Sequence, residues 1–333
     1  VNHMDEFKAL RVTETDGEYH AAVQMMDLED LPAGEVTIRV HYSSLNYKDM
    51  LAIQGNKGVA ATYPHTPGID CAGVVMDSSV NSFAVGDEVL VTGYALGMSV
   101  PGGFGQMVRV PADWVIKRPE SLTLFETMAY GTAGVTAAMC VDSLVEIGIT
   151  PDFGDVLVTG ATGSVGSLTV MLLHKLGYRA VAMTGKPDAE AYLRDLGAET
   201  VIDRTGLTAP EKKGLLSERW GAAVDTVGGD ILMNVLKSIK YGGSVACCGL
   251  AASAKFTGFV YPFILRGINL LGVDSAQLPR EFRELVWRRL SGEWRLSNLE
   301  AVVKKVVLSD LLESVELMRT GKLMGRVVVD LNE

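Results

Sequence analysis

Three glycines, at 160, 163 and 166, stand in the stretch DVLVTGATGSVG (residues 155–166). They separate an apolar run, residues 155–159, from a segment that predicts a helix over 167–176, stopped by Gly177. A strand, a glycine turn and a helix in that order form the setting in which backbone amides meet a pyrophosphate. The middle glycine lets the main chain approach the anion and the last lets the helix pack on the strand. The helix start adds free amides and the positive end of its dipole. Gly160, Thr162, Gly163, Ser164, Val165 and Gly166 are therefore candidate phosphate contacts. Ala161 occupies the usual first glycine position, so the pattern is imperfect, and such a turn can also be purely structural.

The end of the following strand selects the dinucleotide. NAD binders place Asp or Glu there, about 20 residues on, to hold the ribose hydroxyls. This chain has Thr184-Gly185-Lys186 instead, with Arg204 at the end of the next strand. A carboxylate would repel a 2′-phosphate, whereas a hydroxyl, an amide and two cations can hold one. Lys186 could instead be an ordinary solvated charge; both cations in that location together favour NADPH.

What positions these residues is an alternation of strands and helices. Strands are expected at residues 155–159, 178–183, 199–202, 222–227, 244–249 and 269–273, with helices at 129–144, 167–176 and 186–196. Strands alternating with crossover helices give an α/β, doubly wound parallel sheet, and six strands make a complete dinucleotide-binding domain. Before it lie short strands at 35–43, 68–76, 86–92 and 105–110, punctuated by glycine and proline, with one helix starting near Asn46. Their close spacing suggests a partly closed β-barrel. The tail holds one helical stretch near 310–319 and a last strand, 326–330, and is expected to return to the first domain. The expected divisions are 5–128, 129–276 and 277–333.

Bulk properties narrow the class. A chain of 333 residues with 48% hydrophobic residues and 36 glycines suits two compact domains. A formal charge of −10 argues against a nucleic-acid binder. No apolar run reaches the roughly 20 residues that would cross a bilayer. Val1-Asn2-His3-Met4 reads as a cloning remnant rather than a targeting segment. Four cysteines, Cys71, Cys140, Cys247 and Cys248, are too few and scattered for a disulfide framework, and the adjacent pair reads as buried strand residues. A reducing cytoplasm is the expected location.

Seven segments carry a family resemblance: SSLNYKD (43–49), PGIDCAG (67–73), GTAG-T (131–136), VTGATGSVG (158–166), VDTVGG (224–229), YGG-VA-CGLA (241–251) and PFILRGINLLGVDS (262–275). On these the chain resembles the medium-chain dehydrogenase/reductase superfamily, in its quinone-oxidoreductase branch and the acryloyl-CoA reductase group. The resemblance runs from about Phe7 to Asp330 and implies a GroES-like β-barrel catalytic domain beside the six-stranded Rossmann sheet. Zinc-dependent members need cysteine, histidine and a further cysteine or acid as ligands. The matching places here hold Asn46, Ile69 and about Tyr130, the four-cysteine structural lobe is missing, and no histidine pair has ligand spacing. A zinc-free enzyme is expected.

The resemblance implies hydride transfer from NADPH to the β-carbon of an activated alkene, with the carbonyl delocalising charge before protonation at the α-carbon. Without a metal, polarisation falls to hydrogen-bond donors. Tyr47 is the candidate donor to cofactor or substrate, with Asn46 as support; Tyr47 could instead be a packed aromatic. Thr136, Leu250, Ile264 and Ser275 are implied to line the nicotinamide end, and Asp70 to be structural. Lys48, Lys57 and Arg266 are candidates for CoA phosphates, although each reads first as a solvated or structural charge. In related enzymes the segment 256–274 pairs with a two-fold mate, so a homodimer is expected, with residues 260–263 as an edge needing cover. The leading substrate is an enoyl-CoA; a quinone or alkenal is the alternative within enzymes, and an NADPH-binding sensor or structural protein the alternative outside them.

Overall fold

Ten-residue strands β1 (Glu6–Thr15) and β2 (Glu18–Asp27) pair antiparallel around Asp16 and Gly17, both at positive φ. The structure is a computed structural model describing residues 6–333, and the reading of Val1 to Met4 lies outside the described residues. Next come β3 (Val36–Ser44), α1 (Tyr47–Ile53), β4 (Asp70–Ser78), β5 (Glu88–Thr92), β6 (Met107–Val110), β7 (Ile116–Lys117) and α2 (Leu124–Glu146). The nucleotide half supplies β8 (Val156–Val158), α3 (Ser164–Lys175), β9 (Ala180–Thr184), α4 (Glu190–Asp195), β10 (Thr200–Asp203) and β11 (Trp220–Asp225). It continues through α5 (Gly229–Leu236), β12 (Ile239–Cys247), α6 (Tyr261–Arg266) and β13 (Asn269–Gly272). The tail contains α7 (Arg280–Ser291), β14 (Val303–Val307), α8 (Leu311–Arg319) and β15 (Arg326–Asp330).

The chain forms two compact units. One comprises the residues up to Thr132 with Ala276–Gly292 and Val302–Glu333; the other comprises Ala133–Ser275 and Glu293–Ala301. Residues 293–301, expected with the returning tail, thus group with the nucleotide unit.

In the first unit a seven-stranded sheet runs β14-β15-β3-β4-β5-β7, with β6 also paired to β3. Two register shifts between β3 and β4 bend it, as bulges do. Its core includes Ile38, Val40, Val75, Val89, Val91, Phe104 and Val329. Apart from Phe104, which precedes β6, these are inward positions of alternating strands, which is why the short runs were legible.

In the second unit six parallel strands take the order β10-β9-β8-β11-β12-β13. The order reverses between β8 and β11, the switch point at which such sheets bind ligands. Its core gathers Leu157, Val181, Ala223, Leu232, Val235, Val245 and Ile268.

Four sequence expectations change. The tail holds two α-helices, since α7 buries Arg283, Val286, Trp287 and Leu290 at helical spacing. The segment 260–263 is no strand edge: Pro262 sits in the first turn of α6, where its fixed φ suits a helix start. Helix α2 is long and apolar enough by composition to cross a bilayer, but most of it is buried within the protein and Gly131 breaks it. Finally, Cys247 and Cys248 are half-buried rather than buried, because β12 ends at Cys247.

Candidate functional site

The glycine turn leaves β8 at Thr159 and enters α3 one turn earlier than the periodicity predicts. Gly163 caps the helix, and the first intrahelical bond is Ser167 N–H to the Gly163 carbonyl at 2.8 Å. The amides of Ser164, Val165 and Gly166 therefore precede the helical ladder and sit at the positive end of α3. A Cβ on Gly166 would stand 2.2 Å from the Gly160 carbonyl oxygen and 2.7 Å from the Ala161 Cα. Only glycine lets the turn close onto the helix this tightly.

Beside this turn lies a pair of cations. Lys186 Nζ donates to Thr162 Oγ1 at 2.8 Å, and its backbone N–H donates to Thr184 Oγ1 at 3.0 Å. The Arg204 guanidinium lies across Gly185, where a Cβ would meet its Nε at 2.3 Å. Burial, and then Arg204, push the Lys186 ammonium below its ordinary value. Asp203, the nearest carboxylate in sequence, turns to the Thr205 N–H at 2.7 Å. Thr162, Thr184, Gly185, Lys186 and Arg204 thus converge on one corner beside the turn, rich in donors and cations.

A second network braces the switch point. Asp225, fully buried at the end of β11, accepts from Thr159 Oγ1 at 2.8 Å and from the Gly228 N–H at 2.8 Å. Thr226 Oγ1 returns a bond to the Thr159 carbonyl at 2.9 Å. Burial raises the Asp225 carboxyl above its usual range, and these donors offset part of that rise. Sequence reasoning quoted VDTVGG only as a family motif; its aspartate joins the ends of β8 and β11.

Among the implied nicotinamide-side residues, Thr136 Oγ1 lies 2.7 Å from Ser275 Oγ, so the structure brings these two together. Leu250 follows β12 and Ile264 sits on α6, both exposed.

In the first unit, Asn46 precedes α1 and Tyr47 begins it, 41% exposed. Asn46 is buried and its amide is engaged at both ends. Nδ2 donates to Asp70 Oδ2 at 2.8 Å, and Oδ1 accepts from Arg326 Nη1 at 3.2 Å. Both ends of the Asn46 amide are thus engaged by neighbours in this unit. Asp70 also accepts from Ser44 Oγ at 2.7 Å and the Thr132 N–H at 2.9 Å. Asp49 accepts the N–H groups of Asn46 at 2.7 Å, Ile69 at 2.9 Å and Gly68 at 3.2 Å. Arg326, fully buried, donates to the carbonyls of Met128, Ala129 and Leu45 at 2.9–3.3 Å. Gly131 closes the cluster: at φ 52° it has no room for a Cβ, which would lie 2.5 Å from Arg326 Nη2 and 2.6 Å from Asp70 Oδ2.

Two carboxylates and one guanidinium share this buried space, and burial displaces the titration of Asp49 and Arg326. Burial first, then Asp70, push the Asp49 carboxyl up to about 7. Burial brings Arg326 down to about 10 against the pull of both carboxylates. Arg326 and Asp49 were missed as a network; the available signal was an arginine opening the apolar strand RVVVD.

The three zinc-ligand places fail on donor chemistry. Asn46 is engaged as described, Ile69 is aliphatic, and the buried Tyr130 ring packs edge-on against Trp287. Among the described residues no group of three His, Cys, Asp or Glu side chains could hold a metal ion. The three basic candidates separate as well. Lys57 pairs with Glu14 at 2.6 Å beneath Tyr19 and Tyr63. Arg266 is structural, donating to the carbonyls of Lys237, Ile239 and Leu216. Lys48 is half-buried on α1.

Two family models match the chain, that of the alcohol dehydrogenase GroES-like domain over residues 32–120 and that of the zinc-binding dehydrogenases over residues 164–292. Acrylyl-CoA reductase AcuI of Ruegeria pomeroyi is 45% identical over 328 residues, spanning 98% of this chain and 99% of its own. The YhdH oxidoreductase of Salmonella enterica, solved in complex with NADP, superimposes with a TM-score of 0.95 at 41% identity, covering 98% of this chain and all of its own. YhfP of Bacillus subtilis, solved with NAD bound, gives a TM-score of 0.94 at 42% identity over 98% and 99% of the two chains.

Proposed function

We propose a function from the premise that this chain belongs to the medium-chain dehydrogenase/reductase family, in the branch of the AcuI and YhdH proteins. It is a zinc-independent oxidoreductase that uses NADPH to reduce the activated double bond of an acrylyl-CoA-like thioester. The observation that carries the cofactor is the Lys186–Arg204 pair across Gly185. Two cations, one already penalised by burial, gain most from a dianionic 2′-phosphate and little from a ribose hydroxyl. The 45% identity to an acrylyl-CoA reductase across nearly the whole chain supports the substrate class.

When bound, NADPH supplies the hydride. The start of α3, Ser164 to Gly166, would hold its pyrophosphate at the positive end of the helix, and Thr162, Thr184, Lys186 and Arg204 would hold the 2′-phosphate. Asp225 and Thr159 keep the turn and the end of β11 in register. Tyr47, exposed at the start of α1, supplies the hydrogen-bond donor. Asn46, Asp49, Asp70 and Arg326 fix the start of α1 that carries it. The side chains at the ligand places offer no metal shell, so polarisation rests on donors of this kind.

Loss of NADPH absorbance with acrylyl-CoA, crotonyl-CoA, a quinone and an alkenal tests this reading. Turnover should be fastest with acrylyl-CoA. Preference for the quinone or alkenal would move the substrate class, and tight NADPH binding without turnover would leave a sensor.

The protein is a homodimer in this reading. Strand β13 ends the six-stranded sheet, and Phe259, Val260, Tyr261, Ile264 and Leu265 nearby are exposed. An open edge flanked by apolar residues favours pairing with a second copy. Light scattering at micromolar concentration should give twice the 35.7 kDa chain mass; a monomer contradicts it.

A further inference from the structure

Two hydroxyls on α3 donate in different directions. Thr169 Oγ1 donates to the Val165 carbonyl at 2.8 Å, the ordinary bond of a helical hydroxyl to the carbonyl four residues back. For Ser167 that carbonyl belongs to Gly163, which already accepts the Ser167 N–H at 2.8 Å. Ser167 Oγ donates instead to the Ala161 carbonyl at 3.1 Å, inside the glycine turn. What directs it comes from α4, where the Tyr192 hydroxyl donates to Ser167 Oγ at 2.8 Å. A serine hydroxyl has one proton to give, and with Tyr192 on its oxygen that proton goes to Ala161. Ser167 is fully buried and Tyr192 half-buried. Burial raises the Tyr192 phenol above its ordinary value, against a lowering by the Ser167 bond, so it remains a donor at neutral pH.

The Ala161 carbonyl and the Thr162 N–H share one trans peptide plane, in which the two point to opposite sides. Drawing the carbonyl onto Ser167 therefore turns the Thr162 N–H away from it. Further bonds hold the same turn: the Ala161 N–H donates to the Met183 carbonyl at 3.1 Å, and the Gly163 N–H to the Gly160 carbonyl at 3.0 Å. Lys186, just before α4, takes Thr162 Oγ1 at 2.8 Å. Adjacent turn residues are thus gripped twice from one segment, Thr162 by Lys186 and Ala161 by Tyr192 through Ser167.

We propose that Tyr192 and Ser167 are positioning residues for the dinucleotide, their relay onto the Ala161 carbonyl setting the Thr162 peptide so that its N–H meets the pyrophosphate. Neither side chain touches the cofactor; each acts through that carbonyl. The relay serves the part that NADPH and NADH have in common, whereas Lys186 and Arg204 serve the 2′-phosphate. This inference rests on the cofactor reading above.

The test measures dissociation constants of NADPH and NADH by fluorescence titration, and of 2′-AMP by competition with NADPH. 2′-AMP carries adenosine and the 2′-phosphate but no pyrophosphate. Wild type, Tyr192→Phe, Ser167→Ala and the double variant are compared, each with its melting temperature. Tyr192→Phe should weaken NADPH and NADH by the same factor, about 3–10-fold for one lost hydrogen bond, and leave 2′-AMP within about 2-fold. Ser167→Ala should weaken both dinucleotides at least as much. The double variant should be no weaker than Ser167→Ala, because the two hydroxyls act in series. A lowered melting temperature with unchanged dinucleotide affinity would make Tyr192 a packing residue and overturn the proposal. An equal loss for 2′-AMP, a loss confined to NADPH, or additive losses in the double variant would overturn it too. A wild type that binds neither dinucleotide would instead defeat the cofactor reading itself, and the relay's role with it.

Discussion

Lys186 donates its ammonium to the Thr162 hydroxyl at 2.8 Å, tying the end of β9 to the glycine turn that leaves β8. The selectivity corner is thus held from within before any ligand arrives. Lys186→Glu places a carboxylate where the 2′-phosphate is proposed to sit. The Michaelis constant for NADPH should rise about 30-fold or more, equivalent to about 2 kcal/mol, while that for NADH should change by less than about 3-fold. Equal small changes for both cofactors would remove the assignment.

Gly131→Ala should be among the most damaging single-methyl changes in the chain. The backbone sits at φ 52°, and the new Cβ would press on Arg326 Nη2 and Asp70 Oδ2. Left-handed strain of about 1–2 kcal/mol adds to the cost of parting buried charged groups, so a loss of about 3–5 kcal/mol is expected by thermal or denaturant unfolding. A loss below about 1 kcal/mol would mean that the cluster gives way easily.

This contrast defines what was legible. The 160–166 turn and the six strands could be read because each is local: glycine spacing, apolar runs and helix stops lie within a dozen residues. The tail strand 326–330 was read for the same reason, with its bounds matching β15. Arg326 was not read as part of a site, because its partners come from residues 45–46 and 128–129, nearly 200 residues or more away. The β1–β2 hairpin escaped notice because β2 is largely exposed and lacks a clean apolar alternation. Asn46 could be named from its motif, but only the fold reveals that both ends of its amide are engaged.

Arg326→Met should cost about 3–5 kcal/mol, because it strands carbonyls and carboxylates in a dry space. Arg326→Lys should recover less than half of this. One ammonium cannot reproduce the planar fork that reaches Met128, Ala129, Leu45 and Asn46 together. Full rescue by lysine would show that charge, not geometry, is what the cluster needs.

Tyr47→Phe removes one hydroxyl from a half-exposed ring and should leave the fold intact. If Tyr47 is the donor, turnover should fall by about 100-fold, within the range for positioned proton donors. Unchanged turnover together with unchanged NADPH affinity would end its role.

Asp49 gives the first unit a pH dependence whose direction is fixed by its environment. Its carboxyl titrates near 7 in the folded protein against 3.8 for the free group. Between these values the folded state binds more protons than the unfolded chain, so stability falls as pH rises. Above about 7 both states are ionised and the loss is complete. Asp49→Asn cannot ionise and escapes this term, although it disturbs the three N–H bonds at every pH. The variant's deficit relative to wild type should therefore shrink from pH 5 to pH 7, by about 2–3 kcal/mol, and then level off. His41 and His65, both lowered mainly by burial, act in the opposite direction below about 6.5 but are common to the two proteins, so they cancel in the difference. Unfolding curves of both proteins at pH 5, 6, 7 and 8 measure it, and a constant deficit would mean that Asp49 is ionised throughout that range.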